Sequence, residues 1–284
     1  MLLKNYKSEF IKALSSLYDE MEIESFFYII LEQFHNKKRI DLALQPEMEM
    51  DALQLLRWET VLSELKKEKP IQYILGETEF YGLRFRVNEN TLIPRPETEE
   101  LVELIISDNQ MTKNTNSFTI LDIGTGSGCI AISLAKNLSN AKVSAIDVSE
   151  KALEMAKKNA EINEVNVNFI LADVLKLSTL QEKYDVIVSN PPYVRNLEKH
   201  EIKPNVLEFE PHLALFVEDD DALIFYRKIA ELALKNVSEN GKLYFEINQY
   251  LGKETVELLE NLGFKNVKLI KDIYENDRMI SATI

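Results

Sequence analysis

The 284-residue chain holds a single cysteine, Cys129, so it can close no disulfide within itself and offers no thiolate cluster to a metal. That scarcity suits a reducing, cytoplasmic setting. The three histidines, His35, His200 and His212, are scattered without ligand spacing, and no metal is expected. Long apolar runs are missing as well. FFYIIL, residues 26–31, is short beside the roughly 20 residues a membrane span needs, so no membrane partner is expected. The opening MLLKNYKSEFIKAL is broken by charge too often for a secretory leader. Positive charge is also in deficit. Residues 1–95 carry 13 basic and 16 acidic side chains, residues 96–284 carry 20 and 31, and the net charge is −14. Such a balance repels phosphate backbones, so direct nucleic-acid binding is not expected.

What is present divides into two patterns. Through residue 75 the apolar positions step at helical intervals: Tyr6, Phe10, Leu14 and Leu17; then Phe26, Phe27, Ile30, Leu31 and Phe34; then Leu55, Trp58, Leu62 and Leu65. Short helices with one apolar face each must bury those faces together, which predicts a small bundle with Trp58 in its core. Over residues 76–96, Leu83, Phe85 and Val87 alternate with Arg84, Arg86 and Asn88. Period two there predicts a β-hairpin linking two domains. From residue 97 the pattern alternates. Helix is expected over 97–106, 149–162, 222–235 and 251–262, with another following residue 128. Strands are expected over 118–124, 142–147, 167–173, 184–190 and 242–247, and two more close the chain. Alternation of this kind makes a parallel sheet with right-handed crossovers. The last two strands leave no room for a helix between them and should pair antiparallel.

Between the first of these strands and its helix lies Gly124-Thr125-Gly126-Ser127-Gly128. Glycine permits positive φ and close approach of a ligand to the backbone, and the helix start supplies free N–H groups. The dinucleotide fingerprint wants glycine or alanine where Cys129 stands. The Gly-x-Gly-x-Gly spacing instead resembles the S-adenosylmethionine-binding loop of class I methyltransferases. That resemblance implies that Asp147, ending the next strand, accepts the ribose hydroxyls, and that Asp173 and Val174 meet the adenine. Helix capping is the competing role for both acids, with Ser149 a rival for the first cap. Asp122 is expected to brace the loop, and Cys129 to pack a helix.

The fourth strand ends in VIVSNPPYV, residues 186–194. In open α/β sheets the ligand lies beyond the carboxyl ends of the strands, where their order reverses. With order 3-2-1-4-5 that point lies between the glycine loop and Asn190. The Asn190 side-chain oxygen and the Pro191 carbonyl can accept two N–H groups, with Pro192 stiffening the turn and Tyr193 offering a flat face. A planar amide or base NH2 fits such a corner. The bland alternative is that the two prolines merely stop a strand.

Three further stretches complete a pattern: KPIQYILGETEFYGLRFRVNENTLIPRPETEELV (69–102), SNPPYV and EPHLAL (210–215). Together with the glycine loop they resemble the HemK/PrmC-type N5-glutamine methyltransferases of peptide chain release factors, over nearly the whole chain. The resemblance implies a class I methyltransferase fold of the α/β class: a Rossmann-like, seven-stranded, mostly parallel sheet with an antiparallel last strand. It implies three regions: a helical substrate-recognition domain (1–75), a β-hairpin linker (76–96) and a catalytic domain (97–284). S-adenosylmethionine is the implied donor, leaving S-adenosylhomocysteine. A class 1 release factor is the implied partner, methylated on the glutamine of its Gly-Gly-Gln motif, and the enzyme is expected to be a monomer. Gly124, Thr125, Gly126, Ser127, Gly128, Asp147, Asp173, Val174 and Asn190 would then contact the cofactor. Asn190, Pro191, Pro192 and Tyr193 would hold the glutamine, with Arg95 and Glu97 at the rim or in interdomain salt bridges. Two departures stand out: Asn248, where many relatives carry glycine, and the acidic stretch EDDDAL (218–223). Neither is expected to touch the catalytic corner. Methylation of a nucleic-acid base amine and a noncatalytic adaptor role are the rival functions.

Overall fold

The stripes before residue 76 fold into α1 (Leu3–Leu14), α2 (Glu20–His35), α3 (Arg39–Leu44), α4 (Ala52–Leu65) and α5 (Ile71–Leu75). The structure is a computed structural model and describes residues 1–109 and 118–284. These form two units, Met1–Gly76 with Lys203–Phe209, and Glu77–Ile202 with Glu210–Ile284. In the first, the Asp19 side chain caps α2, Asn36 ends it in the left-handed conformation, and Asp51 with Gln54 closes a capping box on α4. Trp58 is fully buried among Tyr6, Phe10 and Phe27, and its indole N–H donates to His35 Nε2 at 2.9 Å. Leu17, the last member of the first stripe, falls beyond the end of α1 and is exposed.

The second unit begins with the hairpin of β1 (Glu77–Phe80) and β2 (Leu83–Arg86). Its two-residue turn, Tyr81-Gly82, has φ of 50° and 69°, the sign a type I′ turn demands at both positions. The hairpin does not stand as a separate linker. Phe80 and Phe85 belong to the core of the second unit. Asn159 of α8 (Glu150–Ile162) and Asn163, the residue capping its C-terminus, hydrogen-bond the Arg86 and Arg84 backbone at 2.7–3.0 Å.

The remaining elements are α6 (Pro96–Asn109), β3 (Phe118–Ile123), α7 (Cys129–Asn137), β4 (Ala141–Asp147), β5 (Val167–Leu171), β6 (Tyr184–Ser189), β7 (Val194–Arg195), α9 (Pro204–Phe209), α10 (His212–Leu215), β8 (Phe216–Val217), α11 (Ile224–Asn236), β9 (Val237–Glu246), α12 (Gly252–Leu262), β10 (Lys265–Lys271) and β11 (Asp277–Thr283). Among the described residues the main sheet has seven strands in the order β10-β11-β9-β6-β3-β4-β5. Neighbours from β5 to β9 pair parallel; β11 runs antiparallel to both β9 and β10. Successive strand residues feed opposite faces. Ile120 packs with α6 and α7, and Leu121 with α11 and α12. Chain order reverses between β3 and β6, so the ends of those two strands frame the crevice. The segment 191–221 holds the short elements β7, β8, α9 and α10, which no apolar periodicity announced.

Candidate active site

β3 ends at Ile123, and the next residues turn back under β4: the Gly124 and Thr125 N–H groups both donate to the Ile146 carbonyl, at 2.8 and 3.0 Å. Gly128 has φ of +84°, and a Cβ there would lie 2.8 Å from Ile132 Cδ1 and 3.1 Å from Ala156 Cβ, so glycine lets α7 pack on α8. Thr125 and Ser127 are buried. The Thr125 hydroxyl donates to Asp122 Oδ2 at 2.6 Å, the expected brace under the loop. Asp122 is fully buried, and among the described residues its Oδ1 makes no close hydrogen bond, the Ala131 backbone giving the carboxyl only a weaker polar contact. Burial pushes its carboxyl up to about 7, against the lowering effect of Thr125, with the nearby Asp147 charge adding to the rise. The Cys129 thiol is pushed up to about 12 by burial, in keeping with packing and not with nucleophilic chemistry.

A cavity of about 340 Å³ opens above this loop, within the range of roughly 300–1,000 Å³ that small-molecule sites occupy. Gly124, Gly126, Asp147, Asp173, Val174, Asn190, Pro191 and Pro192 all line it. Asn190 and Gly124 stand 66 positions apart in sequence and face each other, since a Cβ on Gly124 would point at the Asn190 carbonyl from 4.0 Å. At Gly126 (φ +55°) a Cβ would project into open space, narrowing the cradle.

The two acids divide the capping roles differently. Ser149 caps α8 through Ala152 N, which frees Asp147 from that task. Asp147 accepts from Gly126 N and Ser149 N, each at 2.8 Å, and burial raises its pKa. A carboxylate has about four lone-pair sites, so acceptor capacity remains on the cavity side. Asp173 does cap, accepting from Leu175 N at 3.0 Å, and its pairing with Lys176 lowers its pKa.

The corner after β6 is held from below. Ser189 Oγ donates to the Ile123 carbonyl at 2.6 Å, joining the two strand ends. Asn190 Nδ2 donates to Thr98 Oγ1 at 3.2 Å, and Thr98 Oγ1 donates to Glu246 Oε2 at 2.6 Å. Tyr193 does not line the cavity; its hydroxyl donates to Glu246 Oε1 at 3.1 Å. Burial, chiefly, raises the pKa of Glu246. Asn248 Nδ2 donates to the Tyr193 carbonyl and to Glu198 Oε2, both at 2.9 Å. The expectation that Asn248 stays clear of the corner is therefore corrected: it anchors the corner's last residue.

Arg95 and Glu97 do not line the cavity. Arg95 pairs with buried Glu210, which also accepts from Ile93 N at 3.1 Å; both partners lie within the second unit, so the pair does not bridge the two units. Glu97 lies on another cleft, with Tyr81, Glu99, Glu100, Glu103 and Tyr274. Several lining residues carried no sequence signal of their own: the Glu89–Leu92 stretch, Phe225, Ile229 and the Pro211–Ala214 turn. Glu89–Leu92 and Pro211–Ala214 lie within the quoted stretches 69–102 and 210–215, whereas Phe225 and Ile229 lie in neither. Among the described residues no helix is long and apolar enough to cross a membrane.

A parallel sheet with an antiparallel strand near one edge, a glycine loop after β3 and a polar corner across the crevice define a class I methyltransferase. Two family models match, "PrmC N-terminal domain" over residues 8–76 and "Methyltransferase small domain" over 103–208. The chain belongs to the release factor glutamine methyltransferase family. It is 68% identical to the release factor glutamine methyltransferase of Flavobacterium psychrophilum over 99% of both chains. Solved structures share the fold at lower identity. A methyltransferase from Pyrococcus furiosus superposes with a TM-score of 0.50 at 21% identity, covering 82% of this chain and 100% of that one. A T. thermophilus 16S rRNA N2 methyltransferase in complex with AdoMet and guanosine gives 0.52 at 18%, covering 73% and 49%.

Proposed function

We propose that the protein moves the methyl group of S-adenosylmethionine to the side-chain amide nitrogen (N5) of the glutamine in the Gly-Gly-Gln motif of class 1 peptide chain release factors. The observation carrying this reading is that Asn190, Pro191 and Pro192 line the same cavity as Gly124, Gly126 and Asp147. Membership of the release factor glutamine methyltransferase family supports the choice of acceptor.

The residues present fit the donor. Gly124 and Gly126 leave the backbone open to close approach, and Asp147 keeps lone pairs for the ribose hydroxyls. Asp173 and the backbone of Val174 serve the adenine, and apolar walls such as Ile146, Ala152 and Phe225 exclude water. When bound, S-adenosylmethionine supplies an electrophilic methyl group. The chain's contribution is to make a poor nucleophile adequate. An amide nitrogen delocalises its lone pair, and two acceptors on its hydrogens, Asn190 Oδ1 and the Pro191 carbonyl, raise its electron density and aim the pair at the methyl. Orientation of this kind is worth roughly 7–11 kcal/mol at best, and fixed dipoles add to it. Once the nitrogen carries the methyl it sheds a proton to water. Tyr193, fixed on Glu246, stiffens the corner, and the unit of Met1–Gly76 recognises the release factor.

Mass spectrometry of a co-expressed class 1 release factor tests this reading: one methyl is expected on the glutamine peptide. Asn190→Ala should nearly abolish that modification while calorimetry with S-adenosylhomocysteine stays close to the native result. Labelled methyl appearing in RNA or DNA instead, or normal turnover by Asn190→Ala, would overturn it.

A further inference from the structure

Asn190 can serve as an acceptor only if its carboxamide faces one way. The oxygen must look into the cavity and the NH2 away from it. A free asparagine side chain has no such preference, because its two ends are alike in size and differ only in hydrogen bonding.

The structure contains a device that makes the choice. β6 pairs with β9 with Ser189 opposite Phe245, so Asn190, the first residue past β6, comes beside Glu246, the last residue of β9, which is itself paired with Met279 of β11. Thr98, in the first turn of α6, stands between their side chains. Thr98 and Glu246 are 3% and 1% exposed, so water does not compete for these bonds. Ionised, Glu246 can only accept. Its Oε2 takes the Thr98 hydroxyl hydrogen and its Oε1 takes that of Tyr193. Having spent its one hydrogen, Thr98 Oγ1 can only accept from Asn190. That contact is satisfied by the NH2 and not by the oxygen. Among the described residues Asn190 Oδ1 has no hydrogen-bond partner, and its residue lines the cavity.

We infer that Thr98 and Glu246 are positioning residues that fix the direction of the Asn190 carboxamide, so that Oδ1 and not Nδ2 meets the acceptor amide. The inference rests on the role proposed for Asn190 and adds the reason it is the oxygen that is presented. Reversing the amide would set an N–H donor against the substrate's own N–H. That orientation offers no hydrogen bond to the nitrogen that must attack.

Thr98→Val keeps the shape and removes the hydroxyl. With a recombinant class 1 release factor as substrate, kcat is expected to fall about tenfold to a hundredfold, less than the roughly hundredfold to thousandfold of losing a fixed dipole outright, because Asn190 itself remains. The affinity for S-adenosylhomocysteine should stay native. Thr98→Ser restores the hydroxyl and should recover most of the loss, which a packing role for the threonine would not. Native kcat in Thr98→Val, or a loss that serine does not rescue, or a parallel loss of donor affinity, would overturn the inference. Should Thr98→Val fail to fold, Glu246→Gln reads the same relay. An amide there no longer dictates which way the Thr98 hydroxyl points, so kcat should again fall with donor affinity retained, and native kcat would count against the relay. If Asn190→Ala is itself active, the proposed function fails. If Asn190→Ala is dead while Thr98→Val is native, the positioning relay alone fails.

Discussion

Two buried carboxylates underlie the two sides of the cavity, and they are finished differently. Glu246, beneath the Asn190 corner, receives hydroxyl hydrogens on both oxygens, from Thr98 and Tyr193. Asp122, beneath the glycine loop, receives one, from Thr125, and its other oxygen has no close partner among the described residues. Burial raises both, yet they are not equivalent. A fully satisfied acid has its hydrogen-bond directions dictated and can dictate those of its neighbours. A half-satisfied one tolerates a proton near neutral pH and acts as a brace. The glycine-loop side of the cavity is thus built largely from backbone shape, and the Asn190 side from directed side-chain hydrogen bonds.

If that division holds, variants on the two sides should fail in different ways. Beyond Asn190→Ala, the largest effect is expected from Asp147→Ala, on the loop side. It should weaken S-adenosylhomocysteine about tenfold to a hundredfold by calorimetry, the loss of roughly 1.4–2.7 kcal/mol that a charge-assisted pair supplies. Turnover at saturating donor should survive. Loss of turnover with unchanged affinity would erase the contrast. Asn248→Gly, on the corner side, cuts the bonds to the Tyr193 carbonyl and Glu198. Chemical denaturation should register a loss of about 1–2 kcal/mol, with kcat reduced and donor affinity kept.

The smallest effect sharpens the comparison through pH. The folded protein binds the Asp122 proton more tightly than the unfolded chain does. Stability therefore declines as pH rises from 3.8 towards about 7, and the penalty is complete above that. Asp122→Asn should raise stability at pH 8, with the gain shrinking towards pH 5. Melting curves at the two pH values read this directly. An equal effect at both would show that Asp122 is ionised throughout.

The legibility of the molecule follows the same division. The glycine loop, Asp147 and Asn190 were readable because each sits at the end of an apolar run, where period and punctuation mark strand ends. Thr98 and Glu246 were not, although they meet at 2.6 Å, because 148 positions separate them and neither breaks a local pattern. Their pairing becomes visible only when α6 is packed against β9. Arg95 invited a rim role by its place beside two prolines, yet Glu210, 115 positions away, takes its charge. Tyr193 looked like a stacking surface because aromatic rings often are. The structure directs its hydroxyl to Glu246 instead. The short elements between Val194 and Val217 were missed because two-residue strands and four-to-six-residue helices carry no measurable period.

A crystal structure with S-adenosylhomocysteine and a Gly-Gly-Gln peptide tests the central claim most directly. The account predicts the glutamine amide nitrogen within hydrogen-bond distance of Asn190 Oδ1 and the Pro191 carbonyl, its third side turned to the sulfur. A glutamine bound elsewhere, or Asn190 presenting Nδ2 to it, would contradict the account.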